Sequence, residues 1–318
     1  MKAVFLDYAS LDQNDLDFSE LHAVFENLTL YPASTEEQVS ERIQDVDVVI
    51  TNKVRISAEV IQQLPKLKLI LISATGTNNV DLVQAKKSGI VVCNCQAYGT
   101  SAVAQHTLML MLALSTSVIQ YHQAVQKGEW QKAQQFCLLD FPIVELAGKT
   151  LGIIGYGELG QAVAQLAKAF GMQIMVGALP NRPQREGRVQ LDELLSQADY
   201  VSLHCPLTDE TKDLIDAKVF DRMKSSAFLI NCARGGIVNE QALADALIHN
   251  KIAGAATDVL TVEPPKQGNV LLNIDIPNLI ITPHSAWGSV DARQRIVQQL
   301  MENVKAFQNG QPIRQVNL

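Results

Sequence analysis

Leu151-Gly152-Ile153-Ile154-Gly155-Tyr156-Gly157-Glu158-Leu159-Gly160 reads as a buried strand that turns sharply into a helix. Residues 151–154 are apolar, and Gly155, Gly157 and Gly160 follow at G-x-G-x-x-G spacing. In that spacing the first glycine makes the tight turn and the second lets backbone approach a pyrophosphate. The third permits close packing of helix on strand, and the helix N-terminus then meets the phosphates. A strand before the glycines and a helix after them make this a dinucleotide loop rather than a chance match.

Downstream of the loop, residues 173–176, 200–204, 227–231, 253–258 and 279–282 read as further strands. Helical patterns at 157–170, 191–196, 216–223 and 240–249 separate them, and a last helix is expected over 289–309. Upstream, strands at 2–6, 46–51, 67–72 and 90–93 alternate with helices at 35–43, 57–64 and 79–88. Such alternation is the pattern of parallel β-α-β units with both sheet faces covered. Between the two series, one long apolar helix is expected over 101–127.

A site of the NAD type places an acid on the ribose hydroxyls at the next strand end, about 20 residues past the glycines. Here that strand runs into Gly177-Ala178-Leu179-Pro180-Asn181-Arg182, with Ala178 where the acid is expected. Arg182 and Arg185 follow it. A carboxylate repels a 2′-phosphate and an arginine binds one. The coenzyme is therefore read as NAD or NADP, with Arg182 as a candidate contact.

The 318 residues are about twice an ordinary domain, so two domains are expected. Hydrophobic residues make up 47% and charged residues 19%, which is enough to bury a sizeable core and argues against disorder. A net charge of −7 argues against nucleic-acid binding by the chain as a whole. The five cysteines are odd in number and scattered, which fits a reducing compartment better than a disulfide framework. Cys93 and Cys95 form C-x-C without two further ligands nearby, so no metal site is expected. The N-terminal apolar run is too short for a signal peptide. The apolar run 108–114 is bounded by His106 and Ser115, short of a membrane span. A cytoplasmic address is expected.

Three segments leave successive strand ends in the second half. They are Asn231-Cys232-Ala233-Arg234-Gly235-Gly236, the stretch from Asp258 to Glu263-Pro264-Pro265, and Thr282-Pro283-His284-Ser285-Ala286-Trp287. In a doubly wound sheet those ends face the ligand crevice. Keto acid reduction needs a cation for the carboxylate and carbonyl, an acid for the developing alkoxide, and a group that keeps that acid protonated and oriented. Arg234, His284 and Glu263 supply these types in that order. A glutamate bonded to an imidazole favours the charged ring.

With these segments in place the chain resembles, over essentially its full length, the D-isomer-specific 2-hydroxyacid dehydrogenases. The resemblance rests on residues 155–160, His204-Cys205-Pro206-Leu207-Thr208, residues 231–236, Glu263-Pro264 and Pro283-His284. Within the family it looks most like the glycerate dehydrogenases, also called hydroxypyruvate reductases. Ala74-Thr75-Gly76-Thr77-Asn78-Asn79-Val80-Asp81 and the pair His284 with Trp287 suggest this.

The resemblance implies that Arg234, Glu263 and His284 are catalytic. It implies that Thr75, Gly76 and Thr77 offer backbone amides to the substrate carboxylate, with Trp287 also at the substrate. Asp258 matches the residue that bonds the nicotinamide carboxamide, with Cys232 and Ala233 nearby. Glu158 and Leu159 match positions under the pyrophosphate, Thr107 a position near the phosphates, and His204, Cys205 and Pro206 a wall of the adenine pocket. The implied fold is α/β, two doubly wound parallel-sheet domains with a cleft between them. A flavodoxin-like substrate domain would span 1–101 and 286–318, and a Rossmann NAD(P)-binding domain 102–285. The implied activity is reduction of hydroxypyruvate to D-glycerate by a homodimer, with a small 2-keto or 2-hydroxy acid as partner and neither nucleic acid nor membrane. A broad glyoxylate or 2-keto acid reductase and a non-catalytic, dinucleotide-sensing co-repressor-like protein stand as alternatives.

Overall fold

The computed structural model describes residues 1–180, 185–272, 276 and 278–318, and the chain divides into two compact units. One unit comprises Met1–Gly99 with Gly288–Leu318, the other Thr100–Trp287.

The first unit holds a parallel sheet of β1 (Lys2–Phe5), β2 (Asn27–Leu30), β3 (Val48–Thr51), β4 (Leu69–Ile72) and β5 (Val91–Cys93). Their order is β2-β1-β3-β4-β5, the flavodoxin-like winding. β3 and β4 are buried along their whole length because helices cover both faces, which is why they read as unbroken apolar runs. β5 would leave an open edge, and the C-terminal tail closes it. Val316 donates its N–H to Val92, and the Asn317 side chain bonds Val92 N–H at 3.0 Å and Ile90 carbonyl at 2.7 Å.

The second unit holds β6 (Thr150–Ile154), β7 (Gln173–Gly177), β8 (Tyr200–Leu203), β9 (Phe228–Asn231), β10 (Gly254–Thr257) and β11 (Leu279–Ile281). All are parallel in the order β11-β10-β9-β8-β6-β7, so the winding reverses at β6. Side chains alternate between two cores, as the strand period of two requires. Ile153, Ile230 and Ala256 face the core under helices Thr100–Thr116 and Glu158–Ala169. Ile154, Leu229 and Ala255 face the opposite core with Leu194, Phe220 and Leu243. Reversal at β6 opens a crevice beyond its C-terminal end, where doubly wound sheets bind ligands.

The helix expected over 101–127 is two helices, Thr100–Thr116 and Val118–Gln126, meeting at a 60° bend. Ser115 and Thr116 donate their hydroxyls back to Met111 and Leu112 carbonyls at 2.6 and 2.7 Å. Ser117 adopts φ +50°, and the Val144 N–H takes the Ser115 carbonyl at 2.7 Å. Back-bonding by hydroxyl side chains loosens the ladder, and a competing donor ends it. No single helix among the described residues is long and apolar enough to cross a membrane.

Candidate active site

The glycine loop leaves the C-terminal end of β6. Gly155 takes φ +97°, and a Cβ there would stand 2.5 Å from the His204 and Cys205 backbone. At Gly160 a Cβ would stand 2.2 Å from the Gly155 carbonyl oxygen, so helix and turn touch directly. Gly157 differs: nothing lies within 4 Å of the space its Cβ would fill. It is the N-cap of helix Glu158–Ala169 and makes no side-chain cap bond. The first-turn amides therefore border open space, the arrangement that takes a diphosphate. Glu158 adds a carboxylate at this end, one oxygen accepting from the Thr100 hydroxyl at 2.6 Å, while Leu159 packs inward. A dinucleotide fits this cradle on geometry alone.

Arg234 lies just beyond β9 and is exposed, with Nη1 donating to the Ala233 carbonyl at 2.7 Å. The Asn231 side chain shapes the turn beneath it, accepting from Ala233 N–H and donating to the Arg234 carbonyl, both at 3.0 Å. Gly235 then presses on the loop leaving β10. A Cβ on it would fall 1.9 Å from the Leu260 carbonyl oxygen. The same Leu260 donates its N–H to Glu263 Oε1 at 2.8 Å, and Glu263 Oε2 bonds His284 Nδ1 at 2.5 Å. One close approach thus registers the arginine loop against the loop that holds the histidine's carboxylate.

That contact carries a prediction. Gly235→Ala forces backbone apart rather than a flexible side chain, so it costs about 1–3 kcal/mol of stability. It also displaces Arg234 and Glu263 together, and kcat/KM falls by more than the stability loss explains. Gly236→Ala separates strain from clash: at φ +81° it costs roughly 1–2 kcal/mol of its own, but the nearest atoms are Leu207 methyls at 3.5 Å or more, so Arg234 and Glu263 keep their register. Melting curves and steady-state rates of the two variants check this, and an equal loss of kcat/KM in both would contradict it.

Asp258, at the end of β10, organises the loop that follows β11. Its Oδ1 accepts from Thr282 Oγ1 at 2.5 Å and Ser285 N–H at 2.9 Å, and its Oδ2 from Ala286 N–H at 2.9 Å. Its carbonyl accepts from His284 N–H at 2.7 Å. These bonds hold His284 at φ +53°, a conformation that L-residues reach at a cost of roughly 1–2 kcal/mol. Trp287 packs against the core shared with Ala286.

His204 is half-buried, but its Nδ1 is shut off from solvent with no partner among the described residues. Its Nε2 meets the Ser202 hydroxyl at 2.8 Å. Burial pushes the ring down to about 4, so it is neutral near neutral pH. Cys205 is buried and Pro206 exposed beside it. The unfolded chain's histidine takes a proton near ~6.5, whereas the folded ring resists until about 4. Stability from this group is complete above ~6.5 and is lost as pH falls between those values. Thermal unfolding across that window should decline less steeply in His204→Leu than in the parent chain; parallel declines would contradict the assignment.

The remaining expected residues fall in several places. Thr107 is buried on helix Thr100–Thr116 and donates to the Val103 carbonyl at 2.8 Å. Cys232 is buried, and desolvation pushes its thiol up to about 12, so it serves as a neutral packing group. Ala233 is buried beside it. Ala178 donates its N–H to the Val189 carbonyl at 2.9 Å, and Gly177 pairs with Val189, so the chain beyond Arg185 returns to the end of β7. Arg182 lies outside the described residues. Thr75, Gly76 and Thr77 belong to the other unit, at the C-terminal end of β4. There Thr75 donates to the Cys95 carbonyl at 3.0 Å and accepts at its own carbonyl from Asn94 at 2.8 Å. The structure therefore brings Arg234, Glu263, His284 and Asp258 to adjacent strand ends of one sheet. Sequence reasoning passed over His106 and Thr282, whose signals were a histidine inside an apolar helix and a threonine two places before His284.

A family model described as D-isomer specific 2-hydroxyacid dehydrogenase, NAD binding domain, matches residues 108–286. A glycerate dehydrogenase of Methylorubrum extorquens is 46% identical across 98% of this chain and 97% of its own. A hydroxypyruvate reductase of Blautia hydrogenotrophica is 39% identical across 100% of both chains. Among solved structures, an acyclic imino acid reductase in complex with NADPH and D-arginine matches with TM-score 0.85 at 29% identity, covering 99% of this chain and 100% of that one. The open glycine cradle suits a diphosphate, and the match to an NAD-binding domain makes the coenzyme a nicotinamide dinucleotide. The chain therefore belongs to the D-isomer specific 2-hydroxyacid dehydrogenases, a family of nicotinamide-dependent oxidoreductases.

Proposed function

We propose that the chain reduces hydroxypyruvate to D-glycerate, with Arg234, Glu263 and His284 carrying the chemistry. The observation behind this is the 2.5 Å pairing of His284 Nδ1 with Glu263 at a strand end next to the Arg234 loop. With Nδ1 so engaged, Nε2 is the nitrogen that presents a proton to the ketone oxygen. The bound coenzyme supplies hydride from its reduced nicotinamide ring. Arg234 holds the carboxylate and draws charge toward the carbonyl oxygen. His284 gives its proton to that oxygen, and Glu263 holds the ring oriented through Nδ1 while it does. Asp258 is assigned to the nicotinamide carboxamide. The glycine loop with Glu158 and Leu159 is assigned to the diphosphate, Thr107 to its vicinity, and His204, Cys205 and Pro206 to the adenine. For Thr75, Gly76 and Thr77 as the carboxylate's amide donors, and for Trp287, support comes from the resemblance.

The coenzyme's ribose end is assigned to the end of β7, where Ala178 stands in place of the expected acid and Glu186 lies in the turn that follows. Arg185 and Arg188 bracket a turn closed at 3.2 Å, and the following Val189 returns to Gly177 and Ala178. These cations and the missing acid support acceptance of a 2′-phosphate, hence use of NADPH as well as NADH. For quaternary structure, the exposed Trp130, Phe136, Leu139 and Ile143 support a homodimer that covers them. Sedimentation should then give twice the chain mass. Five free cysteines support a reducing, cytoplasmic setting.

Steady-state oxidation of NADH and NADPH with hydroxypyruvate, glyoxylate and pyruvate in parallel tests this reading. Highest kcat/KM with hydroxypyruvate, and turnover with both coenzymes, is expected. A missing hydroxymethyl group is a difference that pockets discriminate weakly, so glyoxylate should turn over within about 10–200-fold. A marked preference for glyoxylate or pyruvate would contradict the substrate assignment, and strict dependence on NADH would contradict the ribose assignment.

A further inference from the structure

Helix Thr100–Thr116 is apolar along most of its length, yet it carries His106 on the side that meets the end of the sheet. The His106 Nε2 lies 3.0 Å from Thr282 Oγ1 and 3.6 Å from Asp258 Oδ1. Thr282 Oγ1 in turn lies 2.5 Å from the same Asp258 oxygen. An ionised carboxylate only accepts, so the threonine hydroxyl must spend its proton on Asp258. Its lone pair then faces the imidazole, which must donate. The network therefore fixes His106 with a hydrogen on Nε2 and runs in one direction, from His106 through Thr282 to Asp258. The two backbone donors on Asp258, from Ser285 and Ala286, belong to the loop that carries His284. His106 and Thr282 add the side-chain half of that support.

We infer that His106 is a positioning residue, acting through Thr282 to set the Asp258 carboxylate for the nicotinamide end of the coenzyme. The inference rests on the assignment of Asp258 to the carboxamide. A rotated Asp258 would lose its aim at the carboxamide while the glycine loop, remote along the sheet at β6, kept its hold on the diphosphate. Its effect therefore falls on the nicotinamide half of the coenzyme alone. Generic loosening of the fold would weaken both halves.

The test is equilibrium binding to the full chain, with NADH against ADP-ribose and NADPH against 2′-phospho-ADP-ribose. His106→Leu should weaken the dinucleotides about tenfold, the scale of one hydrogen bond, and leave the two probes that lack nicotinamide within about twofold. Probe binding also reports that the variant is folded. His106→Gln, which keeps a donor near the same place, should recover most of the loss. Equal weakening of dinucleotide and probe, no weakening of either, or no recovery by glutamine would each overturn the inference. Asp258→Ala separates the two layers. If it fails to distinguish dinucleotide from probe, the Asp258 assignment falls and this inference with it. If Asp258→Ala distinguishes them and His106→Leu does not, only the inference about His106 falls.

Discussion

His284→Ala should slow reduction by about 10²–10⁴-fold, the contribution of a positioned general acid, while coenzyme affinity stays close to that of the parent chain. The ring touches Glu263 through Nδ1 and is held by backbone bonds to Asp258, so removing it leaves the glycine cradle and the Asp258 carboxylate in place. The loss must therefore appear in kcat, with little change in coenzyme binding. Glu263→Gln is the graded form of the same experiment. The amide can still bond the ring but brings no negative charge to support proton donation, so kcat falls by less than in His284→Ala while coenzyme affinity holds. Stopped-flow rates and a coenzyme titration check both variants. Undiminished reduction by His284→Ala would remove the acid assignment, and an undiminished kcat for Glu263→Gln would remove the pairing.

Arg234→Ala should lower kcat/KM on the order of 10²–10³-fold or more, since one side chain is asked to hold the carboxylate and stabilise charge on the carbonyl oxygen. Both KM and kcat should suffer, in contrast to His284→Ala. Arg234→Lys keeps the charge but not the planar fork, so it should recover only part of the loss. The Ala233 carbonyl orients the guanidinium at 2.7 Å; a lysine ammonium can donate to it but presents no planar fork to a carboxylate. Steady-state rates over a range of keto acid concentrations separate the two parameters. Parent-like kcat/KM in the alanine variant would contradict the assignment.

Much of this was legible in the chain itself, and the reasons differ from element to element. The buried strands β3, β4 and β6 announce themselves because both of their faces are covered, leaving runs dominated by Val, Ile and Leu. The edge strand β2, Asn-Leu-Thr-Leu, has no fully buried residue, and no strand was expected there. Its pairing with β1 supplies what its composition does not. The bend at Ser117 was hidden because part of its cause lies elsewhere, in the Val144 N–H that captures a helix carbonyl. In the site, Arg234, Glu263 and His284 stood out as rare residue types at strand ends. The His106, Thr282 and Asp258 network did not, because its members come from three segments that only the folded sheet assembles. The same holds for Gly235: the sequence shows a glycine pair, and only the fold shows that Leu260 leaves no room for a Cβ.

The most direct measurement is chiral analysis of the product formed from hydroxypyruvate and reduced coenzyme by the purified chain. The expected product is D-glycerate, one molecule for each coenzyme oxidised, and about 10²–10⁴-fold less of it from His284→Ala over the same interval. L-Glycerate, or coenzyme oxidation without glycerate, would contradict the proposed function.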